Sequence, residues 1–335
     1  MYYLKCFIFK LNSLANVSRE PKSFHSTATN LVLNSSSVTL DHHLGSYLAG
    51  LIEGDGSIIV PKTHRSEKGK LLYPKIKITF VQKDLPLAKK LQSVLGKGTI
   101  NHSSLKTYLD LCFYNMESLK LLISLINGKF RTPKIEALNR LILWFNKRED
   151  CKEKFCLLPL DNSALSSNSW LCGFIESDGS FYIGFSVTPQ NNVTSVKSYM
   201  RLSQRMYYHK NLEGNKSDNC YLPVMEEIRE FLDISKIRNI KRIKGDYKIE
   251  KGYEIRTDRK ESRIILINYL TKFPLYSSKY LDYLDWVQII ELQNRFRYKA
   301  KPIDYNNTII DIKGNMNSLR KKFNWKHLDF FFLFN

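Results

Sequence analysis

Two aspartates stand in the same setting, 123 residues apart. Asp55 closes the acidic-glycine signature LAGLIEGDGS at 48–57, and Asp178 closes LCGFIESDGS at 171–180. Each segment reads as a short helix that ends on the acid. Gly50 and Gly54 lie four apart, with Gly173 and Ser177 in the matching places, so each helix carries a groove of small residues along one side. Two such grooves let helix backbones approach closely and make the pair the natural joint between two halves. A carboxylate is badly placed at that end of a helix, where about half a negative charge and unpaired carbonyls already sit. Where two such ends converge, a positive group belongs between them. Hard divalent cations take carboxylate and carbonyl oxygens, and Mg2+ (or Mn2+) accepts one or two carboxylates with water and phosphate oxygens completing its shell. Paired ions of this kind activate water at a phosphodiester and stabilise the departing oxygen. The residues alone therefore point to a metal-dependent phosphodiesterase. One Asp-Gly would be no more than a helix stop; two in matching context in a basic chain ask for more.

The elements that must position the acids also come twice. Alternating segments at Ser57–Val60 and Ser180–Val187 read as strands, followed by Lys75–Val81 and Tyr199–Ser203. Asp84 can cap the next helix, with Pro86 in its first turn and Gly96 as its stop; Pro223 opens the matching helix, Met225–Leu232. Two further strands are expected around Ile100–Tyr114 and two around Lys241–Thr257. Closing helices follow at Ser118–Ile126 and Ser262–Leu270, and more helices start at Thr132 and Ser277. The fold class is α+β: tandem pseudo-symmetric αββαββα repeats, two antiparallel sheets, and the motif helices at their interface. The expected divisions are an N-terminal tail or transit segment over 1–40, a first repeat over 41–146, a linker over 147–167, a second repeat over 168–300 and a C-terminal extension over 301–335.

Strand parity sorts the side chains. Counting by twos, Gln82 falls with Ile76, Ile78 and Phe80, and Gln204 with Met200 and Leu202. A core resists such polar ends on an apolar face unless they have a role. The opposite faces carry Lys75, Lys77 and Thr79 in one half and Lys197, Tyr199, Arg201, Ser203 and Arg205 in the other. That set suits base edges and phosphates in a major groove.

Composition agrees. The chain has 335 residues, 43% hydrophobic, with a formal net charge of +20; this is enough apolar material for a packed core and a strong pull toward a polyanion. No run approaches the roughly 18 apolar residues that cross a bilayer, so no membrane role is expected. The six cysteines form no Cys-x-x-Cys pair, which speaks against structural zinc and suits a reducing compartment. Residues 1–40 are acid-poor and rich in Ser, Thr and Asn, as transit segments are. The abundance of Lys, Asn, Ile, Tyr and Phe fits an AT-rich genome such as an organelle's.

LAGLIEGDG and LCGFIESDG resemble the two motifs of single-chain LAGLIDADG homing endonucleases of organellar group I introns, and the resemblance spans roughly 41–300. It implies saddle-shaped sheets lying along the DNA major groove, with cleavage across the minor groove. It implies metal at Asp55 and Asp178, completed by the backbone carbonyls of Gly54 and Ser177, and a water-orienting role for Gln82 and Gln204. Glu53 and Glu176 replace the motif's usual Asp and look structural. Arg259 resembles the basic residue that many members place near the metals; the first half shows none at the corresponding point near Tyr114 and Asn115. The implied partner is a long, asymmetric double-stranded target bound by a monomer, in mitochondria. The alternative within the family is a maturase that assists folding of group I intron RNA; two intact converging acids favour the nuclease.

Overall fold

The computed structural model describes residues 29–331 apart from 64, 103–106, 150, 191, 209–218 and 245–247. Of the tail expected over 1–40, residues 1–28 lie outside the described residues. Helix α1, Thr29–Asp55, starts before the expected Asp41. No glycine or proline between Thr29 and Leu44 interrupts it. The part from Leu40 onward belongs to one compact unit, Leu40–Asn335.

Within that unit the expected repeat is present twice. In the first half, β1 (Gly56–Ile59), β2 (Lys75–Val81), β3 (Thr99–His102) and β4 (Tyr108–Phe113) form an antiparallel sheet of order β1-β2-β4-β3. Helices α2 (Leu85–Leu95), α3 (Met116–Ile126) and α4 (Ile135–Asn146) accompany it. The second half begins with motif helix α5 (Trp170–Asp178). Its sheet, of order β5-β6-β8-β7, contains β5 (Gly179–Val187), β6 (Val193–Arg205), β7 (Arg238–Lys244) and β8 (Lys248–Arg256). Helices α6 (Leu222–Phe231), α7 (Lys260–Lys272) and α8 (Lys279–Arg295) follow the pattern of the first half. In the C-terminal region, α9 (Tyr305–Gly314) adds one more helix.

Each sheet buries one face only. Ile76, Ile78 and Phe80 of β2 alternate with more exposed neighbours, and Leu87, Ala88, Leu91 and Leu95 turn one stripe of α2 inward, the i, i+4 spacing of an amphipathic helix. Gly96 ends α2 in the left-handed region, φ 60°, where glycine carries no Cβ penalty. Two local expectations change. Strand β6 is far longer than Tyr199–Ser203, because its first part pairs with β5 as far back as Val193, across a register shift near Gly184. Asp84 occupies the N-cap position of α2 but makes no side-chain cap bond there. Its carboxylate instead accepts the Ser278 backbone N–H at 2.8 Å, at the start of α8 in the other half.

Helices α1 and α5 form the joint. A Cβ on Gly50 would overlap the Trp170 carbonyl, one on Gly173 the Tyr47 carbonyl, and one on Gly54 the Ser177 side chain. The first two are backbone obstacles, which cannot rotate away. Gly50→Ala and Gly173→Ala should therefore each force the helices apart. A loss of about 1–3 kcal/mol or more is expected, as for overpacked cores, read from urea unfolding; wild-type stability in both variants would mean the helices do not meet here.

Candidate active site

The joint delivers the two acids to one place. Asp55 is the last residue of α1 and Asp178 the last of α5. Asp178 Oδ2 lies 2.9 Å from where a Gly54 Cβ would stand, so the acid of one half rests against the helix end of the other. Asp55 reaches solvent at the mouth of a cleft that it lines with Thr79, Lys83, Ser177 and Lys279. Surrounding protein nevertheless raises its pKa, against the pull of Lys279 and Lys134. Burial raises Asp178 to about 6, and the charge of Asp55 adds to the shift. Each carboxylate thus disfavours its own ionised form unless a cation joins it.

Two lysines, not singled out in the sequence, answer the helix ends. Lys134 Nζ donates to the carbonyls of Ile52 at 2.9 Å, Gly54 at 3.2 Å and Gly56 at 2.9 Å. Lys279 Nζ donates to those of Ile175 at 2.9 Å, Glu176 at 2.7 Å, Ser177 at 3.3 Å and Gly179 at 2.6 Å. They satisfy the orphan carbonyls and oppose the negative ends of the dipoles. Burial lowers Lys134 to about 8 and lowers Lys279 too, while Glu53 or Glu176 and both aspartates pull back up. The signal was present: each lysine follows a helix-opening Thr-Pro or Ser-Ser pair, at 132–134 and 277–279.

The motif glutamates hold the lysine-bearing segments. Buried Glu53 accepts the N–H groups of Arg131 at 3.0 Å and Thr132 at 2.6 Å, the Thr132 hydroxyl at 2.5 Å and the Trp170 indole N–H at 2.6 Å. Glu176 accepts the N–H of Tyr276 and the hydroxyl of Ser277, the Ser277 N–H at 3.0 Å and the Tyr47 hydroxyl at 3.5 Å. Every partner donates, which is the arrangement an anion requires. Burial still pushes Glu53 up to about 7. Tyr47 and Trp170 are matching positions of the two motif helices, so each half's glutamate is clasped by the other half's aromatic.

The other expected site residues divide. Gln204 is buried in β6, and its side-chain amide donates to Asp178 Oδ2. Gln82 differs: β2 ends at Val81, and Gln82 starts a short 3-10 turn with its side chain exposed, so strand parity does not carry to it. Arg259 has acidic partners of its own. It sits at the N-cap of α7, paired with Asp233 at 3.3 Å and Glu261 at 3.7 Å, while Lys134 and Lys279 are the bases that act on the acids.

The donor set suits a hard cation. It offers two carboxylates and the carbonyls of Gly54 and Ser177, each of which keeps a lone pair after its lysine bond. Two carboxylates and two carbonyls leave room in the shell of such an ion for water and phosphate oxygens.

The open sheet faces carry the expected basic residues, with acids set among them. In the first sheet Asp110 accepts from Lys77 at 3.3 Å and Thr79 at 2.8 Å, and Lys75 is exposed. In the second, nearly buried Glu254 holds Arg256 at 2.6 Å and Ser203 at 3.4 Å, with Arg201 at 3.9 Å. Arg256 also lies over Tyr199, whose ring stacks on Tyr182 at 4.6 Å. Arg205 has only a loose pairing with Glu250, at 4.0 Å, and Lys197 is exposed.

Replacing Glu53 tests the clasp. Glu53→Ala strands three backbone or indole N–H donors in the interior, each worth about 1–3 kcal/mol when left unpaired. Thermal unfolding should show a large loss, and Glu53→Gln, which keeps an acceptor oxygen, should recover part of it. Equal stability for all three proteins would show the clasp to be idle.

Comparison with known proteins agrees with this geometry. The LAGLIDADG endonuclease family profile matches residues 48–145 and 171–290. The intron-encoded DNA endonuclease aI3 of Saccharomyces cerevisiae is 30% identical over 302 residues, spanning 85% of this chain and 72% of that protein. An uncharacterised cox1 intron-2 protein of Schizosaccharomyces pombe is 27% identical over 249 residues, spanning 73% of this chain and 65% of that protein. The fold matches I-SmaMI, a LAGLIDADG homing endonuclease solved bound to cleaved DNA, with a TM-score of 0.59 at 18% identity over 83% of this chain and 98% of that one. The chain belongs to the LAGLIDADG endonuclease family.

Proposed function

We propose that this chain is a site-specific, intron-homing endonuclease that hydrolyses both strands of a long asymmetric DNA target as a monomer, with Mg2+ or Mn2+, in mitochondria. The observation that carries the proposal is the convergence of Asp55 and Asp178 at two glycine-packed helix ends. The intron-encoded relatives support the homing role and its organellar setting. An RNA scaffold has no need of two converging acids held where their charges repel, which sets the maturase reading second.

Asp55, Asp178 and the Gly54 and Ser177 carbonyls would hold the metal, which when bound activates water and stabilises the leaving oxygen at the scissile phosphate. The chain's own groups do the rest. Gln204 fixes the orientation of the Asp178 carboxylate. Lys134 and Lys279 keep positive charge beside the phosphates' destination and prevent the helix ends from repelling them. The basic sheet faces position the duplex through its phosphates and read base edges.

Incubating the purified protein with a library of intronless junction DNA and Mg2+, then sequencing the cut ends, tests the function directly. Asp55→Asn and Asp178→Asn should each abolish double-strand cleavage while leaving duplex binding and folding intact. Undiminished double-strand cutting by either variant removes that acid from the site.

A second test concerns reading. Arg256, fixed by Glu254 and stacked on Tyr199, is a preorganised base reader; loosely held Arg205 is a phosphate contact. Arg256→Ala should cost about 1–3 kcal/mol on the cognate site and relax one base position. Arg205→Ala should weaken all sequences alike and reduce the slope of log K against log salt by about one. No loss for either variant on any duplex would mean that this face does not meet DNA.

A further inference from the structure

Beyond α9, the chain doubles back over the joint as a strap, Asn317–Phe331. Its first anchor is polar: Asn317 donates its backbone N–H to Asp282 at 2.9 Å and its side-chain amide to the Phe181 carbonyl at 3.1 Å. Arg320 donates to Asp282 at 2.9 Å and to Asp285 at 2.5 Å. The second anchor is aromatic. His327 Nε2 lies 2.9 Å from the Tyr276 carbonyl and its ring stacks on Tyr280, while buried Phe331 packs on Tyr276 with ring centroids 4.5 Å apart. Phe331 also meets Tyr47 of α1 edge-on at 6.5 Å. Between the anchors, Lys83 of the first half sits over the Phe323 ring at 5.8 Å. The strap therefore touches both halves.

Its position matters as much as its anchors. Asn317, Ser318 and Arg320 line the same cleft as Asp55, Lys83 and Lys279. The Arg320 charge is absorbed by its two aspartates, but Lys321, Lys322 and Lys326 are exposed. Among the described residues, none of these three has an ion pair. Between residues 317 and 331 the strap has four basic Lys or Arg residues and the single acid Asp329, whereas the linker 147–167 balances four with four. Two buried anchors explain how the strap is held without assigning any task to three uncompensated ammonium groups. Fixing them beside the acids' cleft in a chain of +20 adds self-repulsion that only a polyanion relieves.

We propose that the strap is a third DNA-binding element beside the two sheets, with Lys321, Lys322 and Lys326 gripping the phosphate backbone next to the cleft that holds Asp55. The inference rests on the nuclease reading and adds to it a contact surface outside the repeated fold. The grip is independent of sequence, because an ammonium on a phosphate reads no base.

The test needs no knowledge of the target. Lys321→Ala/Lys322→Ala, and the triple variant with Lys326→Ala, are titrated with a mixed-sequence DNA duplex across a KCl series. Far-UV circular dichroism and a thermal melt check that the fold is unchanged. The slope of log K against log salt should fall by roughly two for the double and roughly three for the triple variant, at about 0.9 per phosphate contact. A control, Lys89→Ala/Lys90→Ala, removes the same charge as the double variant from α2 and should keep the wild-type slope. Strap variants that match this control overturn the proposal, as does weakening confined to structured RNA. Wild-type protein that binds no duplex overturns the nuclease reading and the strap's role with it, a result distinct from wild-type binding that the strap variants leave unchanged.

Discussion

The close approach of α1 and α5 at Gly50 and Gly173 governs the rest of the molecule. With a Cβ at either position meeting a carbonyl of the facing helix, only glycine lets the backbones touch. That contact brings two helix C-termini, each with its partial negative charge and unpaired carbonyls, to one point and adds a carboxylate to each. The structure is costly at that point by construction. Lys134 and Lys279 are the internal compensation, reaching in from the first residues of later helices to bind three and four carbonyls. The remaining negative charge, on two carboxylates whose pKa values are raised, is what a metal and a phosphate can use.

A lysine so buried must itself be held, and the motif glutamates do that. Glu53 and Glu176 accept the backbone N–H groups of Thr132 and Ser277, two residues before each lysine, so one carboxylate fixes the segment and also offsets the ammonium's charge. Trp170 and Tyr47 then lock each glutamate from the opposite helix. Further from the axis the halves exchange different bonds: Asp84 takes the Ser278 N–H, while buried Arg131 pairs with Glu227 and, at 2.9 Å, with Asp161 of the linker. The near-symmetry of the centre is thus not matched at its edges.

Much of this was legible in the sequence because it was local. The acids, the small-residue grooves and the strand alternation are all contained within windows of about ten residues, and the structure has each of them. The lysines were not legible because their partners lie far along the chain: Lys134 is 80 residues from Gly54, and Lys279 is 102 from Ser177. Repeat matching did not expose them either, since the acids are 123 apart and the lysines 145, the second half having longer strands and connections. Gln82 was misread for a related reason. Parity holds only while the strand lasts, and β2 stops one residue short of it. Arg259 was assigned by position in a pattern, and its nearer acids Asp233 and Glu261 claimed it.

These departures fall unequally on the two halves, and their sum bears on how two strands are cut. Asp178 is more enclosed, has its carboxylate held by Gln204, and is pushed up to about 6 by burial. Asp55 opens to solvent beside the strap, and Gln82, just past the end of β2, is exposed where Gln204 is buried. Two carboxylates at matching places in the sequence therefore stand in different electrostatic and steric surroundings. A homodimer would be obliged to treat both strands alike, because one sequence would fold into both halves. A single chain carries no such obligation. Once duplicated, each half could accept its own bonds at the edges while the glycine joint kept the two acids together, and the open faces, with Asp110 in one sheet and Glu254 in the other, could diverge independently.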